Sequence, residues 1–112
     1  MDPERRSQWL RGVLDLCVLA LLDAGDSYGY QLSQALESAG VGQVQGGTLY
    51  PVLLRLQRTG LVEAYWREGT AGPARKYYRI TDAGRAAVTA GARDWQVFTG
   101  PVETLLREAV NR

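Results

Sequence analysis

The chain has 112 residues, a formal net charge of +1, one cysteine and no histidine. That length suits one small domain whose modest core is often completed by dimerisation. Without histidine it lacks the commonest general base and metal ligand, and the lone Cys17 can form neither an intrachain disulfide nor a zinc cluster.

A first helix is expected over residues 5–23, ending at Gly25. Apolar side chains cover most of its circumference between Val13 and Leu22, which places it centrally in a core. Cys17 reads there as a small buried hydrophobe. The run is interrupted by Asp15 and is too short to span a bilayer, so a soluble cytoplasmic protein without membrane contact is expected. Asp26 or Ser27 is placed to cap a second helix, 28–38, which stops at Gly40. A short turn, 41–45, leads to a third helix that starts near Gly46 or Gly47 and stops at Gly60. Gly25, Gly40 and Gly60 each read as the left-handed residue that closes a helix.

The third helix is the most informative segment. Leu49, Val52, Leu53 and Leu56 form one stripe for burial, leaving Thr48, Tyr50, Pro51, Arg55 and Arg58 on the other side. A polar, cationic face on a short docked helix suits entry into a DNA groove. Gln45 stands at the entrance, and Gly46 and Gly47 permit close backbone approach with amides able to meet a phosphate. The alternative for Tyr50 is a ring packed on a neighbouring helix, and for Arg55 and Arg58 a solvated face.

From Leu61 the period changes to two: Val62, Ala64 and Trp66 share one face, Glu63, Tyr65 and Arg67 the other. A long polar turn, 68–74, suggests a projecting tip before the returning strand 75–80. Alternation there sends Arg75, Tyr77 and Arg79 one way and Lys76, Tyr78 and Ile80 the other, with Tyr78 and Ile80 the core candidates. Lys76 can then snorkel to a phosphate or minor groove. Thr81 caps a last helix, with Asp82 near its positive dipole end. In it Gly84, Val88, Gly91, Trp95, Phe98, Val102, Leu105 and Ala109 recur at alternating steps of four and three, a coiled-coil type of seam. The seam faces either another chain, the reading preferred here, or the first helix of its own chain. Gly100-Pro101 either kinks or ends this helix.

Charge is unevenly spread. Residues 43–80 hold six basic side chains (Arg55, Arg58, Arg67, Arg75, Lys76, Arg79) against Glu63 and Glu68, a net +4 that leaves −3 for the rest. A near-neutral chain can thus attract phosphate locally. The elements together read as mainly α with a small β-hairpin: a winged helix-turn-helix in residues 1–80 plus a dimerisation helix in 81–112, one compact unit. No nucleophile–base pair, metal-ligand spacing or phosphate-cradling loop is present, so no enzyme and no cofactor are expected.

The ordered segments Leu10-Arg11-Gly12-Val13-Leu14-Asp15-Leu16, Tyr28-Gly29-Tyr30-Gln31-Leu32, Gly47-Thr48-Leu49-Tyr50-Pro51 with Gly60-Leu61-Val62, and Gly72-Pro73-Ala74-Arg75-Lys76-Tyr77-Tyr78-Arg79-Ile80-Thr81 resemble the PadR-type winged helix-turn-helix transcriptional regulators. The likeness is to the shorter branch with a single C-terminal helix. Tyr28 stands where many members carry a histidine. The resemblance implies a homodimer that binds a roughly palindromic operator in double-stranded DNA and represses transcription. It implies Tyr50 at the DNA-facing surface and Lys76 at the backbone or minor groove. It also implies release by a small aromatic or drug-like effector. The DNA-contact candidates are therefore Gln45, Gly47, Thr48, Tyr50, Pro51, Arg55, Arg58, Arg75, Lys76 and Tyr77.

A pocket for such an effector would use Trp95, with Leu10, Val13, Cys17 and Phe98 as neighbours, because a flat indole holds planar rings. The same Trp95 can instead simply fill the seam. Dimer contacts are expected from Val88, Gly91, Trp95, Phe98, Val102 and Leu105. A second reading is a winged-helix module that docks a protein and binds no DNA.

Overall fold

The computed structural model describes residues 1–112. In chain order it contains α1 (Pro3–Leu10), α2 (Leu14–Ala24), β1 (Ser27–Tyr28), α3 (Gly29–Ser38), α4 (Gly46–Arg58), β2 (Val62–Arg67), β3 (Arg75–Ile80) and α5 (Asp82–Val110). No helix is long and apolar enough to cross a membrane. The core gathers Leu14, Val18, Leu19 and Leu22 of α2 with Leu32 and Leu36 of α3. Val44, the α4 stripe Leu49, Val52, Leu53 and Leu56, and the sheet residues Val62, Tyr78 and Ile80 complete it. This is the winged helix-turn-helix with a long last helix that the periodicity predicts.

Several local expectations are corrected. The first helix is two. Around Gly12 the backbone tightens, with the Gly12 amide donating to Trp9 O and that of Val13 to Leu10 O, three residues back in place of four. Glycine is poor inside a helix and a β-branched valine follows it, so α1 ends at Leu10; none of its residues is fully buried, although Leu10 packs against the core. Gly25 is extended at φ 165°, because the chain leaves α2 directly into β1. Gly40 and Gly60 do adopt φ of 82° and 76°. Each closes its helix with a paired cap: Val41 N bonds Leu36 O and Gly40 N bonds Glu37 O, and likewise Leu61 with Leu56 and Gly60 with Gln57.

The hairpin is a three-stranded antiparallel sheet ordered β1-β3-β2. Ser27 pairs with Tyr78 and Tyr28 with Tyr77, while β2 and β3 run in register from Val62 opposite Ile80 to Arg67 opposite Arg75. Neither Asp26 nor Ser27 caps α3, because both side chains are engaged elsewhere. The Ser27 hydroxyl donates to Gln31 Oε1 (2.8 Å), and the Asp26 carboxylate accepts from the Tyr65 hydroxyl (2.6 Å). Trp66 lies on the predicted face yet is exposed, since β2 and β3 run beyond the edge of the helical core there.

Thr81 caps α5 as expected, its hydroxyl oxygen accepting from the Gly84 amide at 3.1 Å. The first turns of α5 belong to the chain's own core. A Cβ on Gly84 would stand 2.2 Å from Leu61 O and 2.6 Å from Ile80 Cγ1, and one on Gly91 2.7 Å from Leu16 Cδ1. Val88 likewise packs against the core. Val88 and Gly91 thus find their partners on α2 and its surroundings, where the seam reading gave them to another chain. Beyond Trp95 the helix leaves the body of the molecule. It continues through Gly100-Pro101 without ending, although proline denies the Val97 carbonyl its usual donor.

The approach at Gly84 sets a test. Leu61 O is backbone, also accepts from the Thr81 amide, and has little freedom to yield. Gly84→Ala is expected to cost about 1–3 kcal/mol through overpacking, outweighing its helix-propensity gain of up to about 1 kcal/mol. Urea unfolding checks this, and a variant as stable as the parent chain would refute the close approach.

Candidate nucleic-acid interface

Burial of the α4 stripe turns the opposite side of the helix outward. Gly47, Thr48, Tyr50, Pro51, Leu54, Arg55 and Arg58 are all exposed there. Two clefts flank this ridge. One lies between α4 and the α1–α2 corner and is walled by Gly47, Thr48, Pro51 and Arg55 together with Arg11, Asp15 and Gln43. The other runs between the starts of α3 and α4 and the wing, walled by Tyr28, Gly29, Tyr30, Tyr50, Trp66, Arg75 and Lys76.

Tyr50 is both packed and exposed. Its ring lies over two glycines: a Cβ on Gly29 would meet Tyr50 Oη at 2.9 Å, and one on Gly46 would meet Cε2 at 3.1 Å. Yet the residue stays 57% exposed, so the ring is positioned by packing while much of its surface remains open. Arg55 is held by Asp15, with Nε to Oδ2 at 2.9 Å and Nη2 to Oδ1 at 2.7 Å. That bond raises the already high pKa of Arg55, which stays charged. Arg58 forms no ion pair. Gln45 is set apart, in a recess with Arg6, Glu37 and Gln43.

The outer face of the sheet carries a ladder of rings and guanidinium groups. Tyr28 and Tyr77 lie 5.2 Å apart and Tyr77 and Tyr65 5.8 Å. Arg75 sits 4.6 Å over Tyr28, Arg67 5.1 Å over Tyr77 and Arg79 5.1 Å over Tyr65. The Arg75 Nη1 also donates to the Tyr28 hydroxyl at 3.0 Å. These contacts stiffen the wing through cation–π attraction. Tyr77 stands inside this ladder and is not among the residues that wall the groove beside α4. Lys76, on the other face, extends over Tyr78 toward the groove. Tyr65 is raised in pKa chiefly by its hydrogen bond to Asp26 and stays a phenol.

An apolar cleft lies where α5 crosses α2. Leu10, Val13, Leu16, Cys17, Ala20, Val41, Val88, Ala92, Trp95 and Gln96 enclose about 430 Å³. Leu10, Val13, Cys17 and Trp95 are thus together as the sequence suggests. Phe98 is not: one helical turn beyond, it tilts against Trp95 with ring centroids 6.4 Å apart and stays outside the cleft. Leu16 and Ala92, absent from the sequence candidates, also line the cleft.

The transcriptional regulator PadR-like family matches residues 18–90, from the middle of α2 to the third turn of α5. The chain belongs to that family. A transcriptional regulator from Mycobacterium tuberculosis is 38% identical over 86 residues, 77% of this chain and 78% of that protein. Among solved structures, a PadR-like transcriptional regulator from Bacillus cereus is 38% identical with a TM-score of 0.77, covering 88% of this chain and 96% of its own. A PadR family regulator from Eggerthella lenta is 35% identical with a TM-score of 0.79, covering 88% and 86%. The family is one of transcriptional regulators, a class distinct from enzymes.

Several residues at this surface escape sequence reading. Asp15 shows only as an acid interrupting an apolar run, Trp66 as a residue sharing a face with Val62 and Ala64, and Arg67 as an ordinary strand cation. Leu54, exposed on the α4 ridge, breaks the polar pattern with no signal beyond its place outside the stripe.

Cys17 offers a chemical check on the cleft. Burial pushes its thiol above the usual range, so less thiolate is present at any pH and reaction with electrophiles slows. Labelling with iodoacetamide at pH 8 is expected to run several-fold slower than that of free cysteine. Labelling as fast as free cysteine would mean the cleft is open enough to leave the thiol in water.

Proposed function

We propose that this regulator is a homodimeric DNA-binding repressor in the cytoplasm, released from a roughly palindromic operator by a small aromatic ligand. One observation carries the DNA reading: α4 lies on the surface with its ridge uncovered, flanked on one side by Arg75 and Lys76 of the wing. The ridge supplies hydroxyls and a cation for base edges and phosphates, and the wing supplies cations to the adjacent backbone. Of the sequence candidates, Gly47, Thr48, Tyr50, Pro51, Arg58, Arg75 and Lys76 are the proposed direct contacts, with Arg55 beside them in its pair with Asp15. Residues 1–80 form the reading unit and 81–112 the dimerisation arm.

Support for the dimer comes from the arm. Trp95, Phe98, Val102 and Leu105 continue the four-and-three spacing on a stretch of helix that its own chain leaves exposed, and Leu106 and Val110 extend the patch. Contiguous apolar surface of this kind marks an interaction site, and the spacing suits a second copy of the same helix. Two α4 helices related by a two-fold axis then meet half-sites about 34 Å apart, one turn of duplex. Support for the effector is the cleft below Trp95, which has few polar groups and fits a planar ring. A ring seated there favours one setting of α5 on α2 and so shifts the population of dimer geometries. Repression follows from occupancy of promoter DNA.

Titration against duplex DNA from immediately upstream of the chain's own gene tests the DNA reading. Tight, sequence-selective binding is expected, falling steeply with salt as phosphates are neutralised. Weak binding that ignores sequence and salt would instead favour a protein-docking module. For the arm, Val102→Asp is expected to convert the dimer to a folded monomer in sedimentation experiments and to reduce operator affinity. A dimer that survives the substitution would refute the seam.

A further inference from the structure

Arg55 is the one cation on the α4 ridge that already holds an anion. Its two bonds to Asp15, at 2.9 and 2.7 Å, tie α4 to the first turn of α2 across the cleft that also contains Arg11 and Thr48. Asp15 makes no other ion pair, and neither does Arg55. The pair is not sequestered, with side-chain exposures of 55% and 40%. An exposed pair of this sort adds little to stability. What it does determine is the charge the ridge presents: Arg58 forms no ion pair, whereas Arg55 is neutralised.

The geometry of the pair matters as much as its charge. A carboxylate offers arginine two oxygens in a plane, and a backbone phosphate offers the same two-oxygen target. The Asp15 carboxylate therefore sits where a phosphate would sit if it approached Arg55 through the cleft beside α4. We infer that Asp15 is a built-in stand-in for a DNA phosphate, one that duplex must displace before Arg55 contributes to binding. The inference rests on the reading of α4 as the DNA-facing helix.

The consequence is discrimination. A loosely held duplex meets a neutral pair and gains nothing from Arg55. A duplex seated firmly on the ridge brings a phosphate close enough for exchange: the Arg55–Asp15 bonds break, Arg55–phosphate bonds form, and Asp15 is left to water and a solution cation. That captured cation offsets one of those released from the DNA, so the exchange also flattens the salt dependence. Asp15 thereby weakens indiscriminate binding more than seated binding.

The test uses the full chain and a mixed-sequence duplex of fixed length, titrated at several salt concentrations with the parent protein, Asp15→Asn, Asp15→Glu, Arg55→Gln and the double variant Asp15→Asn/Arg55→Gln. Asp15→Asn is expected to bind about three- to tenfold tighter at low salt, since one competing charged contact is removed. Its log–log salt slope should steepen by about 0.9. Asp15→Glu, which keeps the charge, should stay near the parent, and the double variant should bind no tighter than Arg55→Gln alone. If Asp15→Asn binds equally or more weakly while Arg55→Gln also loses affinity, Asp15 only positions Arg55, and the stand-in is overturned with the DNA reading intact. A gain that persists without Arg55 overturns it too, as a general charge effect. No salt-dependent binding by the parent protein removes the DNA reading and the inference together.

Discussion

Burial of Leu49, Val52, Leu53 and Leu56 is the constraint on which the rest of this molecule depends. These four side chains are each no more than 4% exposed, and they are the reason α4 holds one rotation about its axis. Once that rotation is fixed, the helix has no choice about what it shows: Gly47, Thr48, Pro51, Arg55 and Arg58 must face outward. The chain needs no separate device to aim the ridge. The same core also seats the wing, because Val62, Tyr78 and Ile80 belong to the same cluster. Helix and wing are therefore held at a common origin, and the groove between them follows from packing alone.

Where the sequence was legible, a period or a stereochemical demand made it so. The α4 stripe, the α5 seam, the alternation of β3 and the caps at Gly40, Gly60 and Thr81 each leave a mark that short windows reveal. Where it was not, the missing information was tertiary. β1 is two residues long, too short to carry a period, and exists only because β3 passes beside it. Gly25 and Gly40 look alike as helix stops; one is extended and the other left-handed because their chains go on to different places. Gly84 and Gly91 fit a seam whichever helix lies opposite, and only the fold shows that the opposite surface is intrachain. Asp15 and Arg55 are 40 positions apart, and nothing local to either names the other.

The arm of α5 carries a different kind of cost. A helix of 29 residues is about 43 Å long at 1.5 Å per residue, and only its first turns rest on the body. Val97, Phe98, Leu105, Leu106 and Val110 are each at least 60% exposed, which leaves apolar surface in water that folding of one chain does not remove. Helical hydrogen bonding alone stabilises such a length only marginally. The far part of α5 thus lacks packing partners in its own chain, whereas α2–α4 and the sheet close on themselves. On the proposed reading this division explains why the seam pattern runs unbroken through two environments: near Val88 it answers to α2, and past Trp95 to a second copy of the helix.

α2 is the element that all of these features share. Leu14 and Val18 point into the core, Leu16 packs under Gly91 of α5, Cys17 lines the apolar cleft, and Asp15 reaches across to Arg55. Five successive residues, 14–18, therefore touch the core, the arm and the α4 ridge at once. On the proposed function, a ring seated beside Trp95 would press on Leu16, the neighbour of Asp15, in an interior that does not deform smoothly. On the proposed reading this couples ligand to DNA without a long pathway: the two sites lie on opposite sides of one helical turn.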